Sequence, residues 1–193
     1  AITGAATFIT GATGSDIVLD SSGNAFADAV TMQADAGDEA FGNITFVDSA
    51  AVKLHSSASA DGDLFIDGST DLAVGGNLSI TATTGNITQG AVVAITGTTT
   101  LVTSANDATI TLGNTSNAFT GALTITTNDA SGTDADVTIN SGTTTGLIIA
   151  ASTIDGDLTL TNGHGATITD SGTVTVGGNL AVTTNANNGE INM

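Results

Sequence analysis

Nearly every stretch of this chain occurs twice. Ala1-Ile2-Thr3-Gly4 returns as Ala94-Ile95-Thr96-Gly97, an offset of 93 residues (94 − 1). The same offset pairs Ile17 with Ile110, Leu19 with Leu112, Thr45 with Thr138, and Asn24-Ala25-Phe26 with Asn117-Ala118-Phe119. Asp61-Gly62-Asp63-Leu64 reappears one residue later in register as Asp155-Gly156-Asp157-Leu158. Val74-Gly75-Gly76-Asn77-Leu78 reappears as Val176-Gly177-Gly178-Asn179-Leu180, so eight extra residues (102 − 94) lie just before it in the second copy. A long fixed period marks an array in which each unit stacks on its neighbour, and arrays hold, span and display more readily than they build one pocket. The expected organisation is a first β repeat over 1–93 and a second over 94–193, stacked continuously on the first.

Charge removes several partner classes. Nineteen acidic residues stand against one basic residue, Lys53, for a net charge of −18. Nothing here neutralises phosphates, so nucleic acid is excluded as a partner, and an anionic membrane surface by the same reasoning. Cysteine is absent, which removes any disulfide framework. No apolar run is long enough to span a bilayer, and the basic start of a signal peptide is missing. Proline, tryptophan and tyrosine are absent while 40% of residues are hydrophobic and about a fifth are threonine. That apolar share predicts folding, not disorder, around a thin layered interior of Ile, Val, Leu and Ala.

Apolar residues alternate with small polar ones. Ile17-Val18-Leu19, Ile44-Thr45-Phe46, Leu64-Phe65-Ile66, Leu78-Ser79-Ile80, Ile110-Thr111-Leu112, Leu123-Thr124-Ile125 and Val137-Thr138-Ile139 read as short strands. Leu158-Thr159-Leu160, Ile168-Thr169, Val174-Thr175-Val176 and Leu180-Ala181-Val182 read likewise. Gly, Asn, Asp and Ser clusters punctuate them, and no stretch has a helical period, so the chain is all-β. A parallel β-solenoid is the favoured architecture: its corners suit Gly and Asn, which tolerate positive φ, and its faces suit ladders of Thr and Asn. The alternative is two tandem antiparallel β-sandwich domains, whose cores usually need larger aromatics.

Val74-Gly75-Gly76-Asn77-Leu78-Ser79-Ile80-Thr81 followed by Gly85-Asn86-Ile87-Thr88-Gln89 resembles the repeat regions of filamentous-haemagglutinin-like bacterial surface adhesins. Ala94-Ile95-Thr96-Gly97-Thr98-Thr99-Thr100-Leu101 and Asn117-Ala118-Phe119-Thr120-Gly121-Ala122-Leu123 continue the resemblance. It implies an exported surface fibre built as a right-handed parallel β-helix. The secretion-signal domain of that family is not recognisable in this chain.

Few residues invite chemistry. Only Asp61/Asp63 and Asp155/Asp157 recur as acid pairs around a glycine, whereas Asp16, Asp35, Glu39 and Asp134 face neutral residues in the other copy. In an extended segment residues i and i+2 share a face, so each pair is a candidate calcium site, set against the plainer reading of a charged, solvated turn. His55 and His164 do not align with one another and have no second His or Cys nearby, which argues against a metal role. A carboxylate-pair glycosidase and a β-helix lyase are both disfavoured, the latter because one lysine cannot handle acidic sugars. Lys53 reads as a solvated side chain rather than an isopeptide partner. The runs Thr109-Ile110-Thr111, Thr124-Ile125-Thr126, Thr167-Ile168-Thr169 and Thr173-Val174-Thr175 resemble ice-binding faces, but Asp16 and Val18 stand where Thr109 and Thr111 repeat.

These observations lead to one expectation: a non-enzymatic structural segment of an extracellular, cell-surface fibre or adhesin, self-assembling end to end, without cofactor except for calcium, and partnered by its own copies or the rest of a longer array and by a glycan or a host or neighbouring cell surface. The alternative is a ligand-binding module with a glycan- or ice-binding face.

Overall fold

The computed structural model describes residues 1–10, 12, 14–28, 30–34, 42–49, 52–55, 63–66, 72–127, 134–142, 146–163, 167–185 and 189–193; for 33, 52–55, 63–66, 72 and 73 it describes the backbone alone. Alternation of apolar and hydroxyl side chains becomes a series of short strands. They are β1 (Ala6–Ile9), β2 (Ile17–Leu19), β3 (Val30–Gln33), β4 (Ile44–Asp48), β5 (Val52–His55), β6 (Asp63–Ile66), β7 (Leu72–Val74) and β8 (Leu78–Ala82). There follow β9 (Ile87–Gln89), β10 (Val93–Ile95), β11 (Thr99–Thr103), β12 (Ile110–Leu112), β13 (Ala118–Phe119), β14 (Leu123–Thr127) and β15 (Val137–Ser141). The last are β16 (Leu147–Ile149), β17 (Ser152–Ile154), β18 (Leu158–Asn162), β19 (Ile168–Asp170), β20 (Val174–Val176), β21 (Leu180–Thr184) and β22 (Ile191–Asn192).

Every strand pairing among the described residues is parallel. That excludes the antiparallel sandwiches and establishes an all-β parallel solenoid. Sheet I stacks β1-β3-β6-β5-β9-β12-β15-β18-β21, and sheet II stacks β2-β4-β8-β11-β14-β16-β19-β22 with β17 and β20 alongside. A small edge sheet holds β7-β10-β13. The two large sheets face each other across one core, and the buried–half-buried alternation of β4, β8, β11, β14, β15 and β18 points every second residue into it. The core is mostly Ile, Leu and Val, but phenylalanine also enters it. Phe26 meets Phe46 at a centroid distance of 5.4 Å and Phe8 edge-on at 6.2 Å.

The opening strands of the two copies have the same pairing yet occupy opposite faces, whereas β6 and its equivalent β18 both lie in sheet I. Ala6 beside Val30 returns as Thr99 beside Leu123, Ile17 beside Ile44 returns as Ile110 beside Val137, and the lone bridge Ile2–Phe26 returns as Ile95–Phe119. But β1 and β3 lie in sheet I while their equivalents β11 and β14 lie in sheet II, and β2 and β4 lie in sheet II while β12 and β15 lie in sheet I. The pairs β8/β21 and β9/β22 exchange in the same way. Along sheet II the path β2-β4-β8-β11 is three full turns, and β1 precedes β2 by half a turn. A repeat of 93 residues is therefore three and a half turns.

One turn breaks the order. In sheet I β6 follows β3 and β5 adjoins β9, so β5 and β6 stack against their order in the chain. The turn from Ile44 to Leu78 spans 34 residues, against 21 from Leu78 to Thr99, which leaves chain for two strands on one face. The second copy has no such reversal: β15, β18 and β21 stack in chain order. The junction at Val93/Ala94 falls inside β10, which pairs with β7 on one side and β13 on the other.

Candidate functional site

The recurrent Gly-(Asn/Asp) unit sits at the corner just before a strand, where it joins one turn to the next. Ahead of sheet II, the Asp16 Oδ1 accepts the backbone N–H of Asn43 at 2.8 Å, and the Asn43 Oδ1 accepts that of Asn77 at 2.9 Å. The Asn77 Oδ1 in turn accepts the N–H of Thr98 at 2.7 Å and its hydroxyl at 2.9 Å. Ahead of sheet I, the Asp136 Oδ1 accepts the N–H of Asp157 at 2.7 Å, and the Asp157 Oδ1 accepts that of Asn179 at 2.6 Å. Only a side chain with an acceptor close to the backbone reaches the next turn's amide, which is why Asn and Asp recur there. The glycine beside it answers a different need from the positive φ expected at solenoid corners. Among the described residues only Gly14 and Asp107 have positive φ. A Cβ on Gly76 would instead collide with the Gly42 carbonyl, one on Gly97 with that of Gly76, and one on Gly121 with that of Gly97.

The repeated Asn-Ala-Phe motif forms the inner bracing of a second corner. Asn117 is buried; its Nδ2 donates to the carbonyls of Leu112 and Asn140, both at 3.1 Å, and to the Gln89 Oε1 at 2.9 Å. Its Oδ1 accepts from Val93 N and Gln89 Nε2, both at 2.9 Å. Asn24 repeats the motif's own bond, Nδ2 to the carbonyl of Leu19 at 3.1 Å, on a half-buried outer turn. Sequence reasoning saw this motif without its role; its signal was the exact recurrence of an amide beside an aromatic. Asp48 was missed altogether. It is buried at 1% exposure, its Oδ1 accepts the N–H groups of Phe26 and Ser49, and its Oδ2 has no partner. Ser141 holds the equivalent place in the second copy and donates to the Asn117 carbonyl.

Of the proposed calcium ligands, Asp61 lies outside the described residues, and Asp63 opens β6 with only its backbone described. Asp155 and Asp157 flank Gly156 in the bend between β17 and β18. The Asp155 Oδ2 is buried without a partner. Asp157 stacks under Asn179 instead, accepting its Nδ2 at both carboxylate oxygens as well as its backbone N–H. Those bonds, the backbone one foremost and then the amide, hold the Asp157 carboxyl below the usual carboxylate range. Among the described residues no group of three or more His, Asp or Glu side chains gathers to hold a metal ion. His164 lies outside the described residues, and for Lys53 and His55 the backbone alone is described.

The outward faces carry hydroxyls in register. On sheet I, Thr88, Thr111, Thr138 and Thr159 stand in consecutive strands, and on sheet II Thr126, Thr153 and Thr175 do so. Val18 and Thr111, 93 residues apart, lie in opposite sheets, whereas the neighbours in the Thr88 to Thr159 column are 21 to 27 residues apart. At the C-terminal end an open recess of about 240 Å³ is lined by Asp170, Val174, Leu180 and Met193. Among the described residues no helix is long and apolar enough to cross a membrane.

No curated protein and no solved structure matches the chain. A model of one repeat family matches residues 1–33, 34–126 and 134–193, and its middle match spans 93 residues (126 − 34 + 1), the offset read from the sequence. A solenoid of recurrent corners, matched by that model over nearly its whole length, belongs to the family described as repeats of unknown function (DUF5649).

Proposed function

We propose that this chain is a structural, non-enzymatic segment of an extracellular fibre or adhesin of the filamentous-haemagglutinin-like kind. One observation supports the reading above the rest: the parallel ladders run unbroken through the junction of the two copies. Each turn satisfies its backbone hydrogen bonds on the next, so length is added by adding repeats while the cross-section stays the same. The net charge of −18 keeps neighbouring segments apart in solution, and calcium would screen it. Incubation with a panel of polysaccharides is expected to give no products, and a glycan array no specific binding. Turnover or a defined glycan ligand would overturn the reading.

The in-register threonines favour a second reading, a ligand face of the ice-binding type. Four consecutive hydroxyls on sheet I give a regular column, yet Ala181 follows Thr159 and ends it. Ice-recrystallisation inhibition by the purified chain, lost in a Thr111→Val/Thr138→Val double variant, would establish that face in place of a passive spacer.

A further inference from the structure

Four asparagines stand two residues before a hydroxyl, in Asn43-Ile44-Thr45, Asn77-Leu78-Ser79, Asn86-Ile87-Thr88 and Asn114-Thr115-Ser116. This triplet, without proline in the middle, is the acceptor signal for N-linked sugars on exported chains. The corner ladder explains the oxygen of these side chains but not the nitrogen. Asp16, Asp136 and Asp157 hold the next turn's amide as well as Asn77 does. Two ladder asparagines do use their nitrogen: Asn43 Nδ2 donates to the Asp16 Oδ1 at 3.0 Å, and Asn179 Nδ2 to the Asp157 Oδ1 at 3.1 Å. Asn77 and Asn86 are exposed, and their Oδ1 atoms accept the N–H groups of Thr98 at 2.7 Å and Thr109 at 2.8 Å. Half-buried Asn114 closes its own turn, its Oδ1 accepting the Ser116 N–H at 2.9 Å. In these three no hydrogen bond among the described residues engages Nδ2. Their hydroxyl partners are turned outward: Ser79 lies between buried Leu78 and Ile80, Thr88 follows buried Ile87, and Ser116 is exposed. The second copy supplies the contrast. Asn179-Leu180-Ala181 repeats Asn77-Leu78-Ser79 with the hydroxyl lost, at the very asparagine whose nitrogen is bonded.

We infer that Asn77, Asn86 and Asn114 are N-glycosylation sites, each taking a sugar on the amide nitrogen that the fold leaves unbonded. The co-reactant is a sugar activated on a nucleotide or lipid phosphate, delivered by a transferase. The bond from Nδ2 to the anomeric carbon forms as that carbon's bond to the phosphate oxygen breaks. The phosphate leaves with the electron pair, and the amide gives up one proton. The product amide keeps both lone pairs of Oδ1, so the bonds to Thr98, Thr109 and Ser116 survive the modification. Asn43 matches the triplet but has its nitrogen held by Asp16, so it stays bare. The inference rests on reading the chain as extracellular and adds what its corners carry.

Mass spectrometry of the chain isolated from the cells that make it tests the sites, on peptides cut at Asp and Glu because Lys53 is the only basic residue. Whole sugar residues are expected on Asn77, Asn86 and Asn114, and none on Asn43. Asn77→Gln removes the acceptor but also disturbs the ladder bond to Thr98, so a second variant separates the two roles. Ser79→Ala keeps Asn77 and its bonds, and should lose the sugar at Asn77 alone while circular dichroism stays unchanged. Sugar retained on Asn77 in that variant, or sugar on Asn43 as abundant as on the other three, overturns the assignment. A bare chain recovered from the cell surface overturns the sites and leaves the fibre reading standing. A bare chain recovered only from the cytosol overturns both.

Discussion

Asn117 and Asn24 are the same residue of the repeat in two degrees of burial, which makes them a controlled experiment on what the inner amide contributes. Truncating Asn117 to alanine leaves Val93 N–H and the carbonyls of Leu112 and Asn140 without this partner inside the solenoid. A buried polar group stripped of its partner costs about 1–3 kcal/mol. Three such groups in one network do not add fully, so the expected loss is about 3–5 kcal/mol. Asn24→Ala breaks the bond to Leu19 on a half-buried outer turn where water reaches, and should cost about 1 kcal/mol. Urea unfolding followed by circular dichroism measures both. Native-state hydrogen exchange of the amides from Val93 to Asn140 localises the loss, since stacked turns need not unfold as one unit. An Asn117→Asp variant adds a sign test. Its carboxylate would face two carbonyl oxygens, so burial and repulsion raise its pKa in the folded state, and the variant should regain stability as pH falls. Losses for Asn117→Ala and Asn24→Ala within about 1 kcal/mol of each other would refute the bracing role, because Asn117 is buried and also holds Val93, Gln89 and Asn140.

Two further outcomes follow from the corners. Gly121→Ala drives a Cβ into the Gly97 carbonyl and should destabilise by about 2–3 kcal/mol, whereas Gly113→Ala meets open space and should stay within about 0.5 kcal/mol; thermal unfolding of the two variants decides it. The Asp157 carboxyl is held below its usual range by Asn179, so its contribution is present above the unfolded pKa of about 4 and is lost as pH falls through the lower folded value. Asp157→Asn keeps the acceptor for the Asn179 N–H and should flatten that part of the acid unfolding profile; an unchanged profile would show that the ladder bond does not titrate.

Period-two alternation is a property of the extended backbone itself, so strands such as β2, β12, β14 and β18 were legible from single triplets of residues. The 93-residue offset was equally legible, as were the corner units Gly76-Asn77 and Gly178-Asn179. Asp155 and Asp157 were visible as a recurrent pair, but the bend that separates their roles was not. Nor was the burial of Asp48, which depends on Phe26 approaching from the turn below. What lies face to face was decided by tertiary structure alone. Turns close through corners of unequal length, 21 residues between Leu78 and Thr99 but 27 between Ile110 and Val137, so no fixed spacing in the chain names the neighbour in space. A repeat of three and a half turns then puts the equivalent strands β2 and β12 on opposite faces. The chain alone determined what is repeated; only the closure of each turn around a shared core determined which side of the solenoid each copy presents.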